Sequence, residues 1–104
     1  LAAPGHSQHQ LGTVIDFGSI DDSFADTAAG RWMADNAWRY GWSLSYPRDR
    51  ESETGYRWES WHYRWLGRPA AELVHVFFGD SQQLFLEFFV AREAAFRAKL
   101  RAID

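Results

Sequence analysis

The sequence predicts an α+β fold, a small antiparallel sheet with helices packed on one side. Residues 12–18, 42–46 and 61–67 alternate apolar and polar side chains, the period of a half-buried strand. Residues 28–40 and the stretch from Ser81 onward place apolar residues at helical spacing. Turn-forming residues separate these segments, which puts strands and helices in distinct stretches of one chain.

In the first strand Val14 and Asp16 share one face, while Thr13, Ile15 and Phe17 share the other. The loop-like GSIDD that follows leads to Asp26 or Thr27, either of which caps a helix over residues 28–40 that Gly41 stops. Met33, Ala37 and Tyr40 form its expected core stripe. WSLSY, residues 42–46, reads as a strand ended by Pro47, and RDRESETG as a polar loop. WHYRWLG, residues 61–67, sets Trp61, Tyr63 and Trp65 on one face and His62 with Arg64 on the other, polar one. A short helix is expected over residues 69–78, and Gly79 separates it from a longer one capped by Ser81. That last helix is expected to bury Leu84, Phe85, Phe88, Phe89, Phe96 and Leu100.

The chain of 104 residues fits a single domain, residues 1–104, without repeats or a dividing linker. Six Trp, four Tyr and eight Phe predict a core made largely of rings. A net charge of -3 supplies no field for nucleic acid or an anionic membrane surface, so neither is an expected partner. No apolar run approaches the roughly 20 residues of a membrane-spanning helix. Without cysteine, a metal site must be built from His, Asp and Glu.

Asp16 poses the main chemical question. It lies among Val14, Ile15 and Phe17, and the first thirty residues hold no Lys or Arg to offset the cost of desolvating a carboxylate. A bound cation would supply that charge. His9, Glu59 and His62 are the other metal-binding side chains that stand out. In an unbroken strand His9 and Asp16 would lie about 23 Å apart on opposite faces, so a bend near Leu11 and Gly12 is required. Glu59 and His62, three apart, need a turn at Glu59 and Ser60 to face one point. Spacing alone leaves two readings open, a metal centre and a set of polar surface residues. His6 reads as exposed loop, His75 as a helix-surface partner of Glu72, and Asp21, Asp22 and Asp26 as a solvated loop. The rings around Arg57 and Arg64 read as core rather than as a platform for single-stranded nucleic acid.

SQHQLGTVID, residues 7–16, resembles the S-x-H-x-x-G-x-A-x-D motif of the VanY-type D-alanyl-D-alanine carboxypeptidases, zinc peptidases with a fold shared with hedgehog proteins. NAWRYGWSLSYP resembles that family's N-A-x-x-Y-G-F-x-x-x-Y-P segment, and TGYRWESWHYRWLG its T-G-x-x-Y-E-P-W-H-Y-R-Y-V-G. GDSQQLFLEFF, residues 79–89, is similar to the stretch with which such domains close, so the likeness runs from residue 4 to about residue 90. Val14 stands where the motif has alanine, and Ser60 where it has proline.

The resemblance implies that His9, Asp16 and His62 bind Zn2+ and that Glu59 is the catalytic base, taking a proton from the attacking water and returning it to the leaving amine. It further implies substrate contacts from Ser7 and Trp61, and from Arg64 if it reaches the site. The implied function is a zinc-dependent D,D-carboxypeptidase that removes the terminal D-alanine of peptidoglycan stem peptides. An endopeptidase of the same fold, cutting cross-links or the L-alanyl-D-glutamate bond, and a non-catalytic zinc-bearing module that binds wall peptide are the alternatives. Domains of this family carry helices, a strand and an oxyanion-stabilising arginine ahead of the S-x-H motif. The chain begins too late to contain them, so the expectation is a partial domain whose arginine comes from an upstream segment or a partner fragment. The substrate implies a periplasmic or cell-wall location.

Overall fold

Residues 2, 3 and 5–103 are described by the computed structural model. Near its start a 3-10 turn, Gln8–Leu11, is capped by Ser7, whose hydroxyl accepts the His9 amide at 3.2 Å. Gly12 follows at φ 70°, a left-handed conformation that glycine adopts without a Cβ penalty, and its N–H closes the turn on the His9 carbonyl. The chain thereby reverses into strand β1, Val14–Asp16. This is the bend expected between His9 and Asp16.

β1 pairs with β3, His62–Trp65, which pairs on its other edge with β2, Trp42–Leu44; both pairings are antiparallel and the order is β1-β3-β2. Ile15 lies opposite Tyr63 and Asp16 opposite His62, while Leu44 lies opposite Tyr63 on the other side. The strands are shorter than the alternating segments that predict them. Cross-strand bonds nevertheless continue just past these limits, from the Phe17 amide to the Trp61 carbonyl and from the Ser45 amide to the His62 carbonyl.

Helix α1, Ala28–Asn36, starts as expected at Thr27, whose hydroxyl accepts the Gly30 amide at 2.9 Å and donates to the Phe24 carbonyl at 2.7 Å. Gly30 is buried here, and a side chain has no room, since a Cβ would sit 1.8 Å from the Phe24 carbonyl oxygen. Beyond Asn36 the chain tightens into a 3-10 stretch, Ala37–Tyr40, before Gly41. At three residues per turn in place of 3.6, side chains drift by about 80° over four residues. That drift corrects the expected core stripe. Ala37 is buried, Met33 half-buried, and Tyr40 turned outward beside Trp32.

The segment read as a polar loop contains one helical turn, α2, Glu51–Thr54. Tertiary contacts hold it: Glu53 pairs with Arg50 at 2.8 Å and accepts the Ser81 hydroxyl at 2.8 Å. α3, Arg68–Phe77, and α4, Gln82–Ala102, fall where expected, and Ser81 caps α4 by accepting the Leu84 amide. His75 does not pair with Glu72; it meets Asp80 at 2.8 Å and stacks on Trp38 at 4.1 Å between centroids. Asp21 caps the 3-10 turn Asp22–Asp26, and Asp22 pairs with Arg57 at 3.1 Å.

The core comprises Phe24, Ala37, Tyr46, Trp61, Tyr63, Ala71 and Val74, with Phe17 set edge-on to both Trp42 and Tyr63. Two burial expectations are corrected. Trp65, expected beside Trp61 and Tyr63, is largely exposed at the end of β3 against Trp42. On α4, Phe85 is half-buried against Phe78, whereas Leu84, Phe88, Phe89, Phe96 and Leu100 are exposed. α4 packs on α2 and α3, and in a molecule 56 Å long every described residue from 86 to 103 is exposed. No described helix is long and apolar enough to cross a membrane.

Candidate metal centre and peptidase site

The register that sets Asp16 opposite His62 decides how closely they approach. Phe17 N–H bonds to the Trp61 carbonyl at 2.9 Å and Trp65 N–H to the Thr13 carbonyl at 2.7 Å, so the hydrogen-bonded pairs fall on the odd-numbered residues of β1. Asp16 and His62 therefore form a non-hydrogen-bonded pair, the kind in which side chains stand nearest each other. The 3-10 turn before Gly12 folds His9 over the same end of the sheet. His9 and His62 rings meet edge-to-face with centroids 5.0 Å apart.

Three ligand atoms converge. His9 Nε2 lies 3.2 Å from Asp16 Oδ1, and His62 Nδ1 lies 3.4 Å from the same oxygen. Asp16 Oδ1 is buried, yet no hydrogen bond reaches it among the described residues, so these nitrogens are close without being aimed at the oxygen as donors. Donors 2.0–2.1 Å from a tetrahedral zinc stand about 3.3 Å from one another. The separations on both sides of Asp16 match that edge, all three atoms lie within 4.8 Å of one another, and His2Asp is a donor set suited to zinc with a coordination position left for water or substrate. The residues fit a zinc ion.

Glu59 reaches the same point through the turn expected at Glu59 and Ser60, closed by the His62 amide on the Glu59 carbonyl at 3.3 Å. Its Oε2 lies 3.3 Å from His62 Nδ1. Burial, followed by the neighbouring Asp16 carboxylate, raises the Glu59 pKa above the usual carboxylate value. His62, expected on the polar side of β3, is instead 4% exposed, because the 3-10 turn and Tyr46 cover that face. Burial lowers its pKa to about 4, with Asp16 opposing and His9 reinforcing the shift. A neutral imidazole is the form that binds metal.

These four side chains line a cavity of about 310 Å³ together with Ser7, Gln8, Ile20, Tyr46, Tyr56 and Trp61. Ser7 and Trp61 are therefore at the site, as expected, although the Ser7 hydroxyl is also engaged in capping. Arg64 is not brought to the cavity wall. It lies opposite Val14 and Ser43, and its buried Nε has no hydrogen-bond partner among the described residues. Sequence reasoning missed Gln8 and the stacked pair of Tyr46 and Tyr56, whose centroids are 4.5 Å apart. Tyr46 sits in the Y-P of the second motif, which was a usable signal; Gln8 occupies an unconstrained position of the first, which was not.

The His2Asp cluster, two members on the sheet and one on the 3-10 turn with a carboxylate beside His62, has the composition of a metallopeptidase-type centre. The chain belongs to the VanY family of D-alanyl-D-alanine carboxypeptidases, whose pattern matches residues 1–68. YodJ of Bacillus subtilis is 39% identical over 95 residues, which cover 86% of this chain and 33% of YodJ. The structure of VanYB in complex with D-alanine-D-alanine superposes with a TM-score of 0.69 at 35% identity, over 84% of this chain and 48% of that one. A VanY variant from a VanB-type resistance cassette, solved in complex with Zn(II), gives 0.58 at 36% identity, over 70% and 41%. The chain thus spans about a third of YodJ and less than half of each of these solved structures.

Proposed function

We propose that the chain carries the metal-binding part of a zinc-dependent D,D-carboxypeptidase that releases the terminal D-alanine of peptidoglycan stem peptides. The observation that carries this reading is the convergence of His9 Nε2, Asp16 Oδ1 and His62 Nδ1 with Glu59 Oε2 beside them. The complexes of VanYB with D-alanine-D-alanine and of VanY with Zn(II) support it.

In this reading His9, Asp16 and His62 hold the ion. Zinc so bound supplies Lewis acidity toward the scissile carbonyl and lowers the pKa of an attached water to about 7. Glu59, a carboxylate whose raised pKa lies closer to neutrality than that of a solvated glutamate, accepts the proton of the attacking water. It then delivers that proton to the departing D-alanine amine. Trp61 and Ser7 bound the cavity where the C-terminal residue sits. The substrate places the working protein in the periplasm or cell wall.

The test is zinc content together with D-alanine release from a stem pentapeptide, followed by mass spectrometry. One zinc per chain and a tetrapeptide product are expected. Cleavage at an internal bond would assign an endopeptidase, and peptide binding without cleavage, unaltered in Glu59→Ala, would assign a binding module.

A further inference from the structure

We propose that Gln8 is the positioning residue that fixes the His62 imidazole as a metal ligand, an inference that rests on the zinc reading above. Gln8 Oε1 lies 3.1 Å from His62 Nε2 and accepts the Ser45 hydroxyl at 2.8 Å. An acceptor at Nε2 holds the ring proton on that nitrogen. Nδ1 is then left bare, facing Asp16 at 3.4 Å and Glu59 at 3.3 Å.

The neighbours of the Gln8 amide favour this orientation. Gln82 Nε2, an N–H donor, lies 3.5 Å from Ser45 Oγ and donates to the Ser43 carbonyl at 2.9 Å. Ser45 and Gln82 are both buried, at 4% exposure each. With a lone pair directed at Gln82, the Ser45 hydroxyl has its hydrogen available for Gln8, and Gln8 meets it with oxygen. The opposite orientation would aim the Gln8 NH2 at His62 Nε2 and force the ring proton onto Nδ1, the ligand atom. A polar chain thus runs from the first turn of α4 through Ser45, just past β2, and Gln8 to His62. Adjacent residues of one 3-10 turn serve two ligands, His9 by binding directly and Gln8 by orienting His62.

Groups that orient a metal-bound histidine typically contribute about 10- to 100-fold to metal affinity. In the full chain, Gln8→Leu is expected to weaken zinc binding by about that factor in competition with a chromophoric chelator. Gln8→Glu, whose carboxylate accepts both bonds, is expected to bind zinc at least as tightly as the wild type. Nitrogen-15 NMR of the metal-free protein near pH 7 provides a readout that needs no metal. His62 is expected to carry its proton on Nε2 in the wild type and in Gln8→Glu, and to lose that preference in Gln8→Leu. A wild-type His62 protonated on Nδ1, or a folded Gln8→Leu with wild-type tautomer and affinity, overturns the proposal. If Gln8→Leu does not fold, Gln8→Glu decides: retained Nε2 protonation with undiminished affinity supports the role, and loss of either overturns it. A wild type that holds the Nε2 tautomer but binds no zinc supports the orienting contact and instead refutes the zinc reading.

Discussion

Asp16 and His62 face each other across β1 and β3 with Oδ1 3.4 Å from Nδ1, at a pair of the antiparallel ladder that makes no backbone hydrogen bonds between its two residues. Sheet register therefore builds two-thirds of the proposed ligand set, and a 3-10 turn brings in the remaining third. The carboxylate lies in a partly desolvated position with a buried oxygen that no donor among the described residues satisfies. Its cost is offset when a cation is bound.

Asp16→Asn is expected to reduce zinc affinity by more than the roughly 100-fold upper range for a merely supporting group. The metal-free variant should melt no lower than the wild type, because an unpaired carboxylate has been replaced by a neutral amide. Chelator competition and a thermal melt in EDTA check the two parts separately. A variant with wild-type zinc affinity would remove Asp16 from the ligand set.

His62 gives the metal-free protein a defined acid sensitivity. Its pKa is about 4 in the fold against 6.5 for an ordinary histidine, so between these values the unfolded chain binds more protons and stability rises with pH. The contribution is complete above pH 6.5 and is lost as pH falls toward 4. Glu59 acts in the opposite sense: its raised pKa favours the fold at low pH and partly compensates. Unfolding free energies from urea titrations in EDTA at pH 7.0 and pH 4.5 should differ by about 2 kcal/mol in favour of the higher pH. His62→Gln should flatten this dependence.

Much of the fold and most of the site were legible in the sequence, for physical reasons that differ by element. Period-two alternation located all three strands, and Gly12 announced the reversal that joins His9 to Asp16. Ser81 and Thr27 announced their helices because an N-cap is a local bond between neighbouring residues. Burial was less legible. Alternation assigned His62 to the polar face of β3 because it describes one strand, whereas the cover over His62 comes from Tyr46 and the turn at Gln8, distant in sequence. The apolar residues of α4 carry helical spacing, which specifies a stripe without specifying whether an element lies against it. α2 was hidden because its sequence is polar, and its single turn is held by Arg50 and Ser81. Gln8 escaped notice because its role depends on a hydrogen bond that spans 54 positions.

Gly12→Ala tests the turn that unites the ligands. An alanine Cβ there would meet no atom within 4 Å, so the penalty is confined to the backbone at φ 70°. A left-handed alanine costs about 1–2 kcal/mol, which lowers the melting temperature by about 4–8 °C for each kcal/mol in a domain of this size. The strain falls between His9 and Asp16, so zinc affinity should decline as well. A thermal melt with and without zinc measures both, and an unchanged melting temperature would count against the left-handed turn.

Glu59→Gln separates holding the metal from moving the proton. Glu59 Oε2 lies 3.3 Å from His62 Nδ1, near enough to serve either as a further donor or as the base for a water at the centre. The proposed His2Asp set offers three ligands without it, and burial together with Asp16 raises its pKa, which suits a group that accepts and then returns a proton. Glutamine keeps the shape and one oxygen but cannot take up a proton at neutral pH. If Glu59 is the base, zinc affinity should remain within about threefold of the wild type while hydrolysis by active protein falls about 100- to 10,000-fold, the usual contribution of a positioned acid-base group. If Glu59 is instead a ligand, affinity and hydrolysis should fall together. Zinc titration and pentapeptide turnover on the same preparations distinguish the two, and turnover undiminished in Glu59→Gln would transfer the proton-handling role to another residue.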